Sequence, residues 1–318
     1  VKALVYRRYG GPEELELADV PEPRPREREV LVRIRATSVN AADRVLLRGK
    51  PFLVRLGMGF PRPRNPTLGF DVAGHVEAVG TRVTEFRAGQ EVFGASKFGA
   101  FAELVCVNEE TLVPKPAGVS FEAAAATPTA AYTALQGFGK ARIAAGQKVL
   151  IDGASGGVGT FAIQIAIAYG ADVTAVCSTK NVETARALGA SRVIDYRRED
   201  FANDAQRYDL VLAANAYRPL SDYRRVLKPD GAYVMTGGGG VQILQAMLLG
   251  AFISMTSSKR IGNLMAVAKK KDLLVLKEML EAGKIKPVID RTIALSDIPD
   301  AIRYLEQEHA RGKVVVNL

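Results

Sequence analysis

The run Lys148-Val-Leu-Ile-Asp-Gly-Ala-Ser-Gly-Gly-Val-Gly-Thr160 decides how this chain is read. Val149, Leu150 and Ile151 form a short apolar run, the pattern of a strand buried on both faces. Glycines follow at 153, 156, 157 and 159, and residues 161–169 (Phe-Ala-Ile-Gln-Ile-Ala-Ile-Ala-Tyr) read as a helix. Strand, glycine turn and helix in that order are the setting a dinucleotide fingerprint requires. The spacing is Ala154-x-Gly156-x-x-Gly159, with alanine in place of the first glycine. Gly156 would let the backbone approach a pyrophosphate seated on the unpaired N–H groups of the helix N-terminus. Gly159 would let the helix pack closely on the strand. A glycine-rich turn in some other α/β protein is the plainer reading of the motif alone. Residues 172–177 (Asp-Val-Thr-Ala-Val-Cys) weigh against it. They read as a second strand ending about twenty residues past the turn, the spacing of a βαβ unit.

Composition sets the outer bounds. At 318 residues and 48% hydrophobic content, the chain is long enough for two cores. Two cysteines, Cys106 and Cys177, cannot build a disulfide framework, which points to a reducing compartment. Residues 1–6 alternate like a strand and lack signal-peptide anatomy. The longest weakly polar stretch, 241–255, carries Gln242 and Gln245 and is too short for a bilayer. A soluble cytoplasmic protein with no membrane partner is expected. The net charge of +9 raises nucleic acid as a partner. The basic residues are scattered, however, from Arg24, Arg26 and Arg28 through Arg62 and Arg64 and Arg197 and Arg198 to 269–271, with no aromatic-interleaved motif. A solvated basic surface is the expectation.

The first 120 or so residues give few helix signals. Residues 30–35 alternate as a strand, 69–80 read as strand pairs around glycines, and 21–25 and 57–66 read as loops. At Phe121 the texture changes to an Ala-rich helix over 121–128, and βα alternation then runs to residue 257. Residues 271–281 read as a further helix, and 288–295 and 312–318 return to strand signals. A dinucleotide domain is therefore inserted in a β-rich one, with expected limits 1–122 plus 285–318 for the β-rich domain and 123–284 for the insert.

Several motifs, in order, carry a resemblance. They are Val39-Asn-Ala-Ala-Asp43, Leu68-Gly-Phe-Asp-Val-Ala-Gly-His-Val-Glu-Ala-Val-Gly80, Thr127-Pro-Thr-Ala-Ala-Tyr-Thr-Ala-Leu135, the glycine turn, and Gly189-Ala-Ser-Arg-Val-Ile-Asp-Tyr196. Together they resemble the medium-chain dehydrogenase/reductase superfamily, in its zinc-free quinone oxidoreductase branch, the relatives of ζ-crystallin. The resemblance covers essentially the full length. It implies an α/β fold in which a Rossmann doubly wound parallel sheet is inserted in a β-rich GroES-like catalytic domain, with the active site in the cleft between them. It also implies a bound NADPH, held by Ala154, Ser155, Gly156, Gly157, Val158 and Gly159 at the turn. Thr127, Asn215, Thr236, Gly237 and Lys313 are implied around the rest of the cofactor, and Asn40 beside its nicotinamide.

The zinc-dependent members use Cys, His and Cys or an acid at a catalytic metal and four cysteines at a structural one. Two cysteines cannot build the structural site. Asn40 stands at the first catalytic ligand position and Phe70 at the histidine position. His75 reads as a core or edge residue of a strand. No zinc is expected. Without a Lewis acid to stabilise an alkoxide, simple alcohol oxidation is hard. A quinone, or the β-carbon of an enone or enal, accepts hydride more readily, with charge developing on an oxygen that hydrogen-bond donors stabilise. Asn40 is the candidate donor. Asp43 would orient its loop or join a proton relay, or would be a plain helix cap. Tyr132 reads as packing. The alternatives are an NADPH-binding ζ-crystallin-like protein with a nucleic-acid-binding or regulatory role, and a zinc-independent alcohol dehydrogenase-like enzyme.

Residues 51–63 mix apolar side chains with glycines and prolines. They read either as a flap over an apolar substrate pocket lined by Phe52, Leu53, Leu56, Met58 and Phe60, or as a surface loop tucked onto the core. The second strand ends Val176-Cys-Ser-Thr-Lys-Asn181, with no carboxylate before Glu183, so Ser178 and Lys180 would favour a 2′-phosphate and hence NADPH. Tyr196 resembles the family tyrosine beside that phosphate. Helix capping by residues 178–181 is compatible with this role. Residues 251–256 and 260–267 have edge-strand character, and by the resemblance they would pair across a two-fold axis in a homodimer.

Overall fold

The structure is a computed structural model that describes residues 1–239, 242, 245, 256, 258–307 and 310–318. In chain order the strands are β1 (Lys2–Val5), β2 (Glu16–Asp19), β3 (Glu29–Val39), β4 (Asp71–Val79), β5 (Glu91–Ala95), β6 (Leu104–Asn108) and β7 (Leu112–Pro114). They continue as β8 (Lys148–Asp152), β9 (Asp172–Cys177), β10 (Arg192–Asp195), β11 (Tyr208–Ala213), β12 (Leu227–Met235), β13 (Arg260–Asn263), β14 (Ile289–Ala294) and β15 (Lys313–Asn317). The helices are α1 (Ala41–Arg48), α2 (Leu53–Met58), α3 (Phe121–Ala126), α4 (Pro128–Ala141), α5 (Gly157–Ala168), α6 (Val182–Ala187), α7 (Leu220–Val226), α8 (Lys270–Glu281) and α9 (Ile298–Gln307). They form two compact units, one of Val1–Thr129, Ala268–Gly283 and Pro287–Leu318, the other of Ala130–Val267 and Lys284–Lys286. The division places α8 with the β-rich unit, where Leu273, Leu276 and Leu280 are buried and the helix packs on β7. The sequence grouping had put that helix in the insert.

In the first unit the sheet order is β14-β15-β3-β4-β5-β7, and β6 also pairs with β3. The eleven residues of β3 are long enough to carry β4, β6 and β15, all antiparallel. Residues 71–79 form one strand, not a pair folded around glycines. Gly74 marks a close backbone approach, because a Cβ there would lie 2.0 Å from the Arg33 carbonyl oxygen on β3. Val30, Val32 and Ile34 of β3 pack with Val72, Val76 and Val92 in one core. A second core joins Leu4 and Tyr6 to Ile298 and Ile302 of α9 and Val314 and Val316 of β15. Helix α9 was not read from the sequence, although Ile298, Ala301, Ile302 and Leu305 fall at the i, i+3, i+4, i+7 positions of an apolar stripe.

In the second unit six strands are all parallel, in the order β10-β9-β8-β11-β12-β13. Counted within the unit, that is the 3-2-1-4-5-6 order of a doubly wound dinucleotide sheet. Its first strand, β8, is central, and Val149, Leu150 and Ile151 are fully buried as a strand covered on both faces must be. The expected α/β class, with a parallel Rossmann sheet and a β-rich GroES-like unit, is the observed one.

Candidate functional site

In a doubly wound sheet ligands collect at the C-terminal ends of the strands, next to the point where the strand order reverses. That point is the β8–β11 pair, and β8 runs straight into the glycine turn. Gly153 carries the positive φ of the turn (79°), so residue 154 can be an alanine, which lies buried with its N–H donating to the Val176 carbonyl at 3.1 Å. A Cβ on Gly159 would lie 2.2 Å from the Gly153 oxygen and 2.6 Å from the Ala154 Cα, so α5 lies hard against the turn. A Cβ on Gly156 would meet nothing closer than 3.7 Å. Gly156 is the N-cap of α5 and offers no side-chain acceptor to the first-turn N–H groups of Gly157 and Val158. An oxyanion is the natural partner for such a helix end.

The remaining nucleotide candidates of this unit follow other strands at the same edge. Ser178 and Lys180 follow β9, Tyr196 follows β10, Asn215 follows β11, and Thr236 and Gly237 follow β12. Asn215 is pressed against Gly153, whose Cβ would fall 2.7 Å from the Asn215 Cβ. The Thr236 N–H donates to Ala213 O and the Ala216 N–H to Gly237 O, each at 2.9 Å. Neither Ser178 nor Asn181 caps a helix with its side chain; the Asn181 amide instead donates to Ser178 Oγ at 3.1 Å. The buried Asn181 Oδ1 is left without a hydrogen-bond partner among the described residues. An orphaned buried acceptor beside the expected adenosine end fits a ligand that brings a hydroxyl. Lys180 and Tyr196 are exposed.

Sequence reasoning missed one carboxylate here. Asp195 ends β10, accepts from the Thr179 hydroxyl at 2.6 Å, and stands 3.6 Å from the Arg198 guanidinium. The Thr179 hydrogen bond holds its carboxyl below the usual range, with Arg198 and the Arg197 N–H adding to the effect. Beneath the turn, Asp152 accepts from the Tyr223 hydroxyl at 2.6 Å, yet burial pushes it up to about 6.

The catalytic candidates lie in the first unit, around a carboxylate that the sequence reading quoted within a motif but gave no role. Asp71 opens β4 and is fully buried. Its Oδ1 accepts from the Thr129 N–H at 2.8 Å; its Oδ2 accepts from the Ser38 hydroxyl, from Asn40 Nδ2 at 2.8 Å and from Lys313 Nζ at 3.3 Å. Lys313 also donates to Asn40 Oδ1 at 2.6 Å and is itself buried. The resemblance puts Lys313 at the cofactor; in the structure its ammonium is held by Asn40 and Asp71. Removing one partner of such a buried pair costs on the order of 3–5 kcal/mol. The second Asn40 amide hydrogen goes to the Ser38 carbonyl at 3.3 Å. Asn40 could donate to a substrate oxygen only by giving up that long bond. Asn40 also begins α1, and Asp43, three residues on, accepts from the Asn40 N–H at 2.8 Å and the Gly69 N–H at 3.0 Å. Asp43 thus caps and orients the helix start. Burial pushes its carboxyl up to about 7, against those two hydrogen bonds. The Thr127 hydroxyl is used within its own helix end, donating to Ala123 O at 2.8 Å. Tyr132 is buried on α4.

Within 51–63 the chain forms the short helix α2, and of the five lining candidates only Met58 is buried. Phe52, Leu53, Leu56 and Phe60 are 55–73% exposed, with the two phenyl rings edge to face at 5.7 Å. The segment is tied down by Tyr9, whose hydroxyl donates to Gly59 O at 2.7 Å and whose ring lies 4.8 Å below the Arg55 guanidinium. It does not tuck its apolar residues onto the core.

Zinc does not fit these residues. Asn40 has its oxygen and both amide hydrogens engaged, and Phe70 packs on Phe98 at 5.8 Å. Cys106 lies on β6 and Cys177 at the end of β9, and burial pushes both thiols up to about 11, away from thiolate. His75 is half-buried on β4, between Glu91 and Phe121. Among the described residues no group of three or more His, Cys, Asp or Glu could hold a metal, and no helix is long and apolar enough to cross a membrane.

The raised Asp43 has a sign that can be measured. Its folded pKa of about 7 lies above the model-peptide value of 3.8, so between these the native state binds the extra proton. Its contribution to stability therefore falls as pH rises from about 4 to about 7, by at most about 4 kcal/mol for the full shift. Urea unfolding across this window should show a shallower decline for Asp43→Asn than for the parent chain. Equal slopes would remove burial as the cause.

Residues 26–117 match the family described as alcohol dehydrogenase GroES-like domain, and residues 188–316 the family described as zinc-binding dehydrogenase. An NADPH-dependent alkenal/one oxidoreductase, chloroplastic, from Arabidopsis thaliana is 34% identical over 99% of this chain and 79% of its own length. A chloroplastic quinone-oxidoreductase, QR1, from Triphysaria versicolor is 33% identical over 99% of this chain and 98% of its own. The solved quinone oxidoreductase from Coxiella burnetii superposes with a TM-score of 0.88 at 29% identity, covering 100% of this chain and 99% of that one. The chain belongs to the medium-chain dehydrogenase/reductase superfamily of oxidoreductases, among relatives named quinone oxidoreductases and alkenal/one oxidoreductases.

Proposed function

We propose that this chain is a zinc-independent, NADPH-dependent oxidoreductase that delivers a hydride to a quinone or to the conjugated double bond of an enone or enal. One observation carries the reading: Asn40, at the first zinc-ligand position of the metal-using relatives, is locked into a buried network with Asp71 and Lys313, and Phe70 stands at the histidine position. With no Lewis acid there, an alkoxide has no partner, whereas a conjugated carbonyl delocalises incoming charge onto its own oxygen. NADPH, when bound, supplies the hydride, and a proton from solvent completes reduction to the saturated carbonyl or hydroquinone. The α5 N-terminus would hold the pyrophosphate, Ser178 and Lys180 would hold the 2′-phosphate, and the exposed Phe52, Leu53, Leu56 and Phe60 would present an apolar surface to the acceptor. Asn40 is a positioning residue, and Asp43 holds the start of its helix. The names of the relatives support both acceptor classes. They also include chloroplastic proteins, so a cytoplasmic location does not follow from the family.

Loss of NADPH absorbance with 1,4-naphthoquinone, 9,10-phenanthrenequinone, methyl vinyl ketone and 2-hexenal tests the proposal. Chelator-washed protein should turn over at least one of these at the rate of untreated protein. No turnover across the panel with NADPH still bound would favour an NADPH-regulated binding protein. On the cofactor side, Asp195 is already balanced by Arg198 and Thr179, which leaves Lys180 as an uncompensated charge. A charge-assisted contact of about 1.5–3 kcal/mol corresponds to roughly a ten- to hundredfold preference. Lys180→Ala should raise the Kd for NADPH by that factor and barely change that for NADH; equal losses would overturn the NADPH assignment.

We infer a homodimer as well. Among the described residues strand β13 is an edge of the six-stranded sheet, and a second copy would cover the N–H and C=O groups of its outer side. Of the other stretch invoked for this edge, 251–256, residues 251–255 lie outside the described residues and Thr256 is helical, not in a strand. Light scattering should give twice the chain mass of 34.2 kDa. A monomer mass at micromolar concentration would contradict the dimer.

A further inference from the structure

The opposite, N-terminal edge of the parallel sheet gathers positive charge. Arg207 precedes β11, Arg225 lies in the last turn of α7, Lys228 lies in β12, and Lys259 precedes β13. With Leu227 and Ser258 they line a cavity of about 460 Å³. The six residues of β11 put this edge about 20 Å from the nucleotide candidates at the other end of the strand.

Some of this charge has a structural use. Lys259 Nζ donates to the Arg224 carbonyl at the end of α7 at 2.8 Å, and the Arg207 guanidinium donates to the carbonyls of Asp204, Ala205 and Gln206 at 2.7–3.1 Å. Cations near a helix C-terminus are favourable in their own right. Carbonyl oxygens fix where these cations point without cancelling their charge. Lys228 is neutralised by Asp209, with both carboxylate oxygens at 2.8 Å. Among the described residues no carboxylate stands within ion-pair distance of Arg207, Arg225 or Lys259, and Arg225 is exposed. The field is unbalanced enough that burial, then Arg224 and Arg207, hold the Lys259 ammonium below its usual pKa.

We propose that this cavity binds a small, multiply charged phosphate compound at a site separate from the dinucleotide turn. Arginines supply planar donors matched to phosphate oxygens and Lys259 supplies a point charge, while the Ser258 hydroxyl donates to the Pro229 carbonyl at 2.7 Å. An open cavity of this volume has room for a compact di- or triphosphate, whereas an extended nucleic-acid backbone needs a long groove.

The site can be tested by calorimetry on the full chain at saturating NADPH, with three probes: inorganic tripolyphosphate, fructose 1,6-bisphosphate and a twelve-nucleotide single-stranded RNA. Tripolyphosphate should bind one to one and weaken with added salt. Binding of the sugar bisphosphate as well would identify a phosphorylated metabolite as the ligand; its absence would identify an inorganic polyphosphate. Arg225→Glu and Arg207→Gln should each weaken binding at least tenfold, and Lys180→Ala should leave it unchanged. Arg225 is exposed and among the described residues makes no hydrogen bond or ion pair, so its variant, checked for a parent-like circular-dichroism spectrum, reads binding. Absence of tripolyphosphate binding, equal affinity in Arg225→Glu, or binding of the RNA alone would each overturn the proposal.

Discussion

A carboxylate with no access to water must be met by donors or lose its charge, and Asp71 is the residue around which this end of the β-rich unit is arranged. Its partners come from the end of β3, the start of α4 and the start of β15, segments far apart in the sequence. Satisfying one buried charge therefore fixes four chain segments relative to each other. The same bonds set the rotamer and amide orientation of Asn40, and through Asn40 the first turn of α1, where Asp43 takes up two backbone N–H groups. Around Asn40 these hydrogen bonds form a closed set. Under the proposed function, that constraint is what favours acceptors able to carry their own developing charge.

The dinucleotide unit rests on a different constraint, close approach. Gly159 admits the Gly153–Ala154 backbone to within less than a side chain's width, which brings the α5 N-terminus to the end of the central strand. Electrostatics then divides the unit. At the C-terminal edge Asp195 is compensated by Thr179 and Arg198, leaving Lys180 exposed to solvent; at the N-terminal edge Arg207, Arg225 and Lys259 have no acidic partner among the described residues. The basic surface that the composition suggested is in part a local feature with a shape.

Much of this was legible in the chain because it is encoded locally. The apolar run 149–151, the glycine spacing and the strand 172–177 each sit within a few residues, and β8, α5 and β9 formed where they pointed. Gly74 misled because a glycine that admits a neighbouring strand looks the same in sequence as one that makes a turn. Helix α9 was overlooked between two strand signals, although its apolar spacing was present. The Asp71–Lys313 pair spans 242 residues, and no local pattern announces it; the one clue is an acid ahead of the apolar residues Val72 and Ala73 at the start of a strand. The apolar side chains of 52–60 could be named, but whether they turned inward depended on Tyr9 and Arg55 holding the base of the segment.

The central claim is that hydride goes to a conjugated acceptor, a quinone or the β-carbon of an enone or enal, and not to the carbonyl carbon of an enone. The direct measurement is to supply NADPH deuterated at the transferable position of its nicotinamide, with methyl vinyl ketone as acceptor, and to locate the label by NMR. The account predicts 2-butanone with deuterium on the former β-carbon. Deuterium on the carbinol carbon of an unsaturated alcohol would contradict it.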